Sequence, residues 1–256
     1  MTADRSEWLH LLACPTCGGA LRRQGQDVLA CPACPQRFPV TGGIPSLIPQ
    51  DRRVELEAFS RTYHRTRRRE GWRPMGRVEL LLLPDGSPKG YPPPYWKVRR
   101  QTFETFTRLL RKEVPAPQAG PMADLGAGVG WLAHRLAQAG YQTIAIDASL
   151  HYAPCLGGAL QRAADALRPG GRLIILDTPI TGSPRPGSGI GDRHIGRQEL
   201  DRALREAGLQ PRHVPVQQGL RWHAYRLRAA LKGDPSFSFP MVVGTSPART
   251  DADGRS

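Results

Sequence analysis

A short apolar segment that ends in a glycine-rich turn constrains the fold of this chain more than any other feature. Residues 122–130 read Met-Ala-Asp-Leu-Gly-Ala-Gly-Val-Gly, and a helix-permissive segment follows over 131–139. Glycine adopts positive φ without a Cβ clash and lets a ligand approach the backbone closely. A strand, a glycine turn and a helix in this order predict a cofactor-binding α/β sheet. Alone, Gly126-x-Gly128-x-Gly130 also suits a dinucleotide, or a turn needed only for tight packing.

Two further motifs narrow the choice of cofactor. Residues 141–147 (Tyr-Gln-Thr-Ile-Ala-Ile-Asp) predict a second buried strand. It ends in an acid about 20 residues after the glycines, where ribose hydroxyls need an acceptor. Residues 167–177 (Leu-Arg-Pro-Gly-Gly-Arg-Leu-Ile-Ile-Leu-Asp) predict a helix end, a turn and another buried strand.

Together the three motifs resemble the class I S-adenosylmethionine-dependent methyltransferases. The resemblance implies a Rossmann-like α/β sheet, S-adenosylmethionine as cofactor, and methyl transfer to an acceptor that the motifs do not identify. In that family the glycine loop wraps the methionine part of the cofactor, and the acid after the second strand holds the ribose hydroxyls. The implied cofactor-binding residues of these motifs are Asp124, Gly126, Gly128, Gly130 and Asp147.

Four of the five cysteines form two closely spaced pairs near the start of the chain. Cys14 and Cys17 make one pair, Cys31 and Cys34 the other, and 13 residues lie between the pairs. Each pair places two thiolates on a tight turn, and two such turns can complete a tetrahedral shell for structural zinc. Disulfides are the alternative. We expect zinc in a cytoplasmic protein, because residues 1–12 are charged and lack the apolar run of a secretory signal.

The segment 37–49 resembles the short zinc ribbon that precedes or partners some methyltransferases, including ribosomal-RNA guanine methyltransferases. The resemblance covers roughly residues 9–49. So short a piece cannot bury a self-sufficient core, and metal binding would supply on the order of 10 kcal/mol of its folding free energy. We therefore expect a structural or recognition role for the zinc, with Cys155 outside the metal site.

The formal net charge of +14 suits a phosphate-bearing partner, RNA above all, because a basic face releases counterions on binding. Only four of the 36 basic residues are lysine, and such an arginine skew also arises from a GC-rich genome. RNA is therefore one of two interpretations of the charge. No run of 18 apolar residues occurs, so we expect no membrane partner. The sequence leaves the methyl acceptor and the oligomeric state open.

A charged helix is predicted between the ribbon and the glycine turn, over 51–71. Its stretch Phe-Ser-Arg-Thr-Tyr-His-Arg (59–65) resembles the lead-in helix of related methyltransferases, whose tyrosine and arginine can close over the cofactor. The resemblance implies Tyr63 and Arg65 as further cofactor contacts, and plain helix packing and solvation is the alternative. We expect four parts: a zinc-ribbon segment (1–50), a helical lead-in and loop (51–117), a methyltransferase domain (118–250) and a tail (251–256).

The remaining elements follow from apolar periodicity and turn signals. The predicted helices cover 96–113, 156–167, 197–207 and 222–231. The segments 209–216 and 237–244 predict the antiparallel strand pair that closes a class I methyltransferase sheet.

The interval after the second strand is too short for the complete sheet of that family. Only 25 residues lie between Asp147 and Leu173, and they must hold a helix. The family sheet needs two more strands here, and since each strand–helix–strand unit takes about 30 residues or more, roughly 50 to 60 residues are missing. The strand at Leu173 must then take an unusual neighbour or leave a sheet edge uncovered. We favour a deletion over an assembly error or a working short design.

Residues 148–154 resemble the loop that normally follows the fourth strand, where the substrate meets the methyl group. His151 and Tyr152 are therefore candidate substrate-positioning groups, and His151 is a candidate general base. A displaced loop without a role is the other interpretation. The alternative function for the chain is a catalytically impaired, methyltransferase-like binding protein that uses its zinc ribbon to contact RNA or a protein partner.

Overall fold

The computed structural model describes residues 9–69, 71–86, 88, 93–116, 120–147, 155–176, 178, 180–181, 195–216, 224, 227–228, 231 and 240–247. The chain forms two compact units, Met1–Trp72 and Arg73–Ser256. The functional boundaries expected after residues 50, 117 and 250 stay predictions. Among the described helices, none is long and apolar enough to cross a membrane.

After a 3₁₀ turn (Leu9–Leu11), the first unit forms a small antiparallel sheet whose strands pair in chain order. Its strands are β1 (Arg22–Arg23), β2 (Val28–Ala30), β3 (Arg37–Thr41) and β4 (Ile44–Pro45). Exposed and buried residues alternate along β3, so that Phe38 and Val40 join the core. Cys14 and Cys31 belong to the same small core, which ties the cysteine pairs directly to the packing of the sheet.

A 3₁₀ turn (Gln50–Arg52) leads into the 17-residue helix α1 (Arg53–Arg69). None of its residues is buried. Leu56, Phe59 and Tyr63 are half-buried, and their spacing of three and four residues places them on one stripe of the helix. The predicted charged helix is therefore present, with most of its surface exposed.

The second unit mixes helices and strands from α2 onwards. Its helices are α2 (Arg77–Leu81), α3 (Pro93–Glu113), α4 (Trp131–Gln138), α5 (Leu156–Asp165) and α6 (Arg197–Glu206). Its strands are β5 (Met122–Leu125), β6 (Thr143–Ile146), β7 (Arg172–Ile175), β8 (Ile180–Thr181), β9 (Ile195–Gly196), β10 (Gln210–Val214) and β11 (Met241–Thr245). The last strand begins at Met241, after the described residue Pro240. Residues 232–239 lie outside the described residues, as does most of the helix expected over 222–231.

The strands of the second unit form separate short sheets. β5 and β6 pair in parallel, from Met122 opposite Thr143 to Leu125 opposite Ile146. β10, β11 and β7 form an antiparallel sheet in that order, which contains the predicted antiparallel pair of β10 and β11. β8 and β9 make a third, parallel pair. Within the described residues no strand pairing joins β5 or β6 to β7.

Apolar packing rather than strand pairing holds these sheets in one unit. One cluster joins α3, α4 and β11 through Phe106, Leu136 and Met241, and both Met122 of β5 and Ile174 of β7 pack against it. A second cluster joins α5, α6, β7 and β11; its members include Leu160, Ile175, Leu200 and Val242. β11 is therefore buried on both faces, and each of its large side chains contributes about 1.5–3 kcal/mol by burial.

Candidate functional sites

The two cysteine pairs converge on one point in the first unit. The Sγ atoms of Cys14, Cys17, Cys31 and Cys34 lie within 4.8 Å of one another. Three Sγ–Sγ distances are 3.4 Å (Cys17 to Cys31), 3.5 Å (Cys17 to Cys34) and 3.6 Å (Cys14 to Cys34). Zinc with Zn–S bonds of about 2.3 Å sets its sulfur ligands about 3.8 Å apart. The cluster has the donor set and nearly the size of a tetrahedral zinc site.

A tight backbone turn brings the first pair into position. Gly18 N donates to the carbonyl of Cys14 at 2.8 Å, and Cys14 N donates to the carbonyl of Gly19 at 2.8 Å. A Cβ atom at Gly19 would lie 3.3 Å from Sγ of Cys31 and 3.4 Å from Sγ of Cys17, so a larger residue would crowd the sulfurs. The sequence signal for this close approach is the pair of glycines directly after the first cysteine pair.

All five cysteines are free thiols, which is the state that metal binding requires. Burial raises the pKa of Cys14, but hydrogen bonds from the backbone N–H groups of Cys17 and Thr16 and from the thiols of Cys34 and Cys17 together lower the pKa to about 7. At Cys34 the N–H of Gln36 acts to lower the pKa, yet desolvation and the neighbouring thiols raise it to about 12. Several thiolates together in the cluster are therefore unfavourable, because their charges repel. A bound cation would offset that repulsion.

Cys155 lies outside the cysteine cluster, at the start of α5. Its Sγ accepts a hydrogen bond from Gly158 N at 3.4 Å and caps the helix. This contact gives Cys155 a local structural role.

The glycine turn connects β5 to α4 as the sequence predicts. Gly126, Gly128 and Gly130 have φ angles of +83°, +53° and +75°, a region that other residues rarely adopt. Gly126 N donates to the carbonyl of Ile146 at 2.7 Å, and Ala127 N donates to the same oxygen at 3.1 Å. In the described part of the chain, a Cβ at Gly128 or Gly130 would meet no heavy atom within 4 Å. The turn is thus fixed to the end of β6, and within the described residues there is space beside it for a ligand.

Two carboxylates lie at this turn. Oδ2 of Asp124 accepts from Ala133 N of α4 at 3.2 Å, and Oδ1 of Asp147 accepts from Gly128 N at 3.2 Å. Burial raises the pKa of Asp124; the Ala133 N–H opposes this, and the nearby charge of Asp147 raises it further. Asp147 is exposed, and within the described residues its other oxygen has no hydrogen-bond partner. The turn is therefore an acidic site that favours a cationic ligand.

Exposed apolar side chains surround the turn. Leu125 at the end of β5 is 50% exposed, Val129 within the turn is 52% exposed, and Ile146 at the end of β6 is 38% exposed. A typical α/β strand end would be covered on at least one side. These side chains offer apolar contact beside the acidic groups, a combination that suits a ligand with both a charged and a planar apolar part.

A half-buried arginine ties the segment after α2 to the helix that follows the glycine turn. Arg135 of α4 donates through Nε to the carbonyl of Leu83 at 2.6 Å and through Nη2 to Asp85 at 2.9 Å. Arg100 of α3 also pairs with Asp85, at 3.7 Å. No local sequence signal links residues 50 positions apart, so this contact could not be predicted from the sequence. It holds Leu83 and Asp85 against α4.

The remaining predicted cofactor contacts, Tyr63 and Arg65, lie on helix α1 of the first unit. Tyr63 stacks on Phe59 with ring centroids 6.2 Å apart, and the Arg67 guanidinium lies 5.0 Å from the Tyr63 ring. Arg65 is exposed on the same helix. A role for Tyr63 and Arg65 in closing over a cofactor stays a prediction. His151 and Tyr152 lie outside the described residues.

No protein-family model and no curated protein matches this chain. Among solved structures, it is similar to an O-methyltransferase family protein from Burkholderia thailandensis, with 10% identity and a TM-score of 0.39. That similarity covers 61% of this chain and 59% of the other, so the chain spans a little over half of that protein's length.

Two further solved structures are similar at the same level. The [4+2]-cyclase SpnF has 14% identity and a TM-score of 0.38, over 57% of this chain and 81% of that one. NcsB1, an O-methyltransferase from neocarzinostatin biosynthesis in complex with S-adenosyl-L-homocysteine and 1,4-dihydroxy-2-naphthoic acid, has 15% identity and a TM-score of 0.31, over 60% and 59%. Similarities this low do not assign a cofactor or an acceptor to this chain.

Proposed function

We propose that this chain binds S-adenosylmethionine at the glycine turn and transfers its methyl group to an acceptor, while the four clustered cysteines hold a structural zinc ion. The methyltransferase proposal rests on the arrangement of residues at the glycine turn. Three glycines with positive φ and two carboxylates, Asp124 and Asp147, meet at the end of a parallel strand pair.

The residues at the turn fit the cofactor in charge and in space. S-adenosylmethionine carries a sulfonium and an ammonium group, and two neighbouring carboxylates favour such a cation. The backbone at Gly128 and Gly130 has no neighbour where a Cβ would stand, which leaves room for a ligand against the described turn. The exposed side chains of Leu125 and Ile146 supply apolar surface for a planar base.

In this proposal, residues of the chain bind the cofactor and orient it towards the acceptor. The bound cofactor supplies an electrophilic methyl group. Asp147 accepts hydrogen bonds from the ribose hydroxyls, and the glycine turn allows close approach to the backbone. Transfer then depends mainly on proximity and alignment of the acceptor, which needs no catalytic dyad. Because β5 and β6 have no neighbour on the β7 side among the described strands, we expect weak cofactor binding and slow turnover.

The proposed zinc has a folding role. Four thiolates complete a tetrahedral shell and leave no ligand position open for a substrate. Two of the four cysteines lie in the small core of the first unit, so the metal would join that core directly. The four-thiolate shell would then stabilise a sheet whose apolar core is too small to fold alone.

Calorimetric titration with S-adenosylmethionine tests the main proposal. We expect saturable binding by the wild type and at least about tenfold weaker binding by Asp147→Ala, since two hydrogen bonds to a charged acceptor are lost. The matched control is Asp165→Ala, which removes an exposed carboxylate from α5. If the wild type and Asp147→Ala bind S-adenosylmethionine with equal affinity, Asp147 does not contact the cofactor. No binding by the wild type would leave the alternative of a non-catalytic binding protein.

A further inference from the structure

Helix α1 of the first unit carries a stripe of exposed arginines. Arg61, Arg65 and Arg68 follow one another at intervals of four and three residues, the spacing that places side chains on one helix face. Arg69 lies beside them, and all four side chains are exposed. Along the helix axis the first three are separated by about 6 and 4.5 Å. We call these four residues the arginine stripe.

The stripe has no compensating partner within the described part of the chain. None of its four guanidinium groups makes an ion pair or hydrogen bond there, unlike Arg52, which pairs with Glu55 at 2.9 Å. The acidic residues of α1, Glu55 and Glu57, both lie near its N-terminal end, and residues 58–69 contain none. The C-terminal half of the helix is therefore uniformly positive.

Arg67 of α1 differs from the arginine stripe, because its guanidinium contacts aromatic rings. Its guanidinium lies over the rings of Tyr63 and Trp72, at 5.0 and 5.5 Å from their centroids. Such a contact occupies the flat face of the group. The side chains of the stripe are exposed instead, so their planar faces and N–H groups stay available to a partner.

We propose that the arginine stripe is a docking surface for single-stranded RNA, which it holds through phosphate groups. A guanidinium donates two parallel hydrogen bonds to a phosphate, and its plane stacks on the splayed bases of single strands. The stripe includes no asparagine or glutamine to read base edges, so binding should be independent of sequence. This proposal does not depend on the glycine turn or on S-adenosylmethionine.

Salt-dependent binding of the full chain to a labelled single-stranded RNA of about 20 nucleotides and mixed sequence tests the proposal. The variant R61Q/R65Q/R68Q should bind at least about tenfold more weakly at low salt. Its plot of log affinity against log salt should flatten by about 2, since each lost phosphate contact contributes about 0.7. The variant R61K/R65K/R68K, which retains the charge, should keep most of the wild-type slope.

The matched control is R197Q/R202Q/R205Q, which removes three exposed arginines from α6. This variant loses the same charge as R61Q/R65Q/R68Q, but from a helix outside the arginine stripe. Its affinity for the RNA should therefore stay within about twofold of the wild-type value. An equal loss in both triple variants would overturn the proposal, as would tighter binding to duplex DNA or to anionic vesicles. Unchanged far-UV circular dichroism and zinc content of each variant exclude misfolding as the cause.

Discussion

At the residue scale, the four clustered cysteines hold their sulfurs at distances that suit a shared cation. Sγ atoms 3.4–3.6 Å apart cannot all be thiolates without one, because like charges at that separation repel strongly. A metal ion removes this repulsion and displaces the remaining protons. The lowered pKa of Cys14 and the raised pKa of Cys34 are consistent with a cluster that shares its protons unevenly.

Replacing one sulfur should therefore abolish zinc binding. We expect Cys17→Ser to reduce the zinc content from about one ion per chain towards zero, because a closed tetrahedral site needs all four ligands. Cys155→Ser is the matched control, since serine also caps a helix and Cys155 lies outside the cluster. Metal analysis of both purified variants checks this. Full zinc content in Cys17→Ser would show that Cys17 is not a zinc ligand.

Asp124 gives the second unit a defined pH dependence. Burial raises its pKa above the ordinary value of 3.8, so the folded chain retains this proton longer than the unfolded chain. Its contribution to stability is fully present below the ordinary pKa and is lost as the pH rises through the raised pKa. Asp124→Asn retains an oxygen to accept from Ala133 N and removes the charge. We expect this variant to be more stable than the wild type at pH 7 and to lose that advantage in acid.

Denaturant unfolding at a series of pH values measures this difference. Asp124→Asn should also weaken S-adenosylmethionine binding, because it removes one of the two negative charges at the turn. A variant that unfolds more easily at pH 7 would contradict the burial argument. Asp165→Asn, an exposed carboxylate on α5, should show neither effect.

At the element scale, the parallel pair of β5 and β6 is the weak part of the second unit. Within the described residues these two strands pair only with each other, and Leu125 and Ile146 at their ends are exposed. A two-stranded sheet is only marginally stable. The sheet of β10, β11 and β7 differs, because Met241, Val242 and Val243 of β11 are 0% exposed. The two sheets should therefore open with different free energies.

Amide hydrogen exchange should resolve the two sheets. We expect the amides of Met241–Thr245 to exchange slowest and those of Thr143–Ile146 to exchange at least about tenfold faster, because opening free energies follow buried apolar contact. Saturating S-adenosylmethionine should slow exchange in β6 and leave β11 unchanged. Equal protection of β6 and β11 in the free protein would show that the short sheet is as stable as a complete one.

Most elements of this chain could be predicted from local sequence, because their signals are local. The cysteine spacing, the glycine turn and the apolar run at Leu173 each identify a turn or strand within ten residues. Long-range contacts leave no such signal, and the pairing of Arg135 with Asp85 is an example. The exposure of Leu125, Val129 and Ile146 could not be predicted either. Apolar periodicity indicates which side chains are buried only when the neighbouring strands are known.

At the scale of the whole molecule, the chain joins two units that rely on different forces. The first has a small core and four thiols that a metal can join; the second has two apolar clusters that share the central strand β11. The sequence predicted a shortened sheet, and the described strands divide between β5–β6 and β7. It could not predict that packing on α3 and α4 would still hold Met122 and Ile174 to one cluster.

The most direct test of the central claim is an NMR titration of the ¹⁵N-labelled chain with S-adenosylmethionine. We expect saturable shifts of the amide signals of Gly126, Gly128 and Gly130, with smaller shifts at Ala133. The amide signal of Val242 in β11 should not move, since β11 pairs with β10 and β7 and not with β5 or β6. Absence of shifts at the three glycines under saturating ligand, or shifts confined to other residues, would contradict the claim that this turn binds the methyl donor.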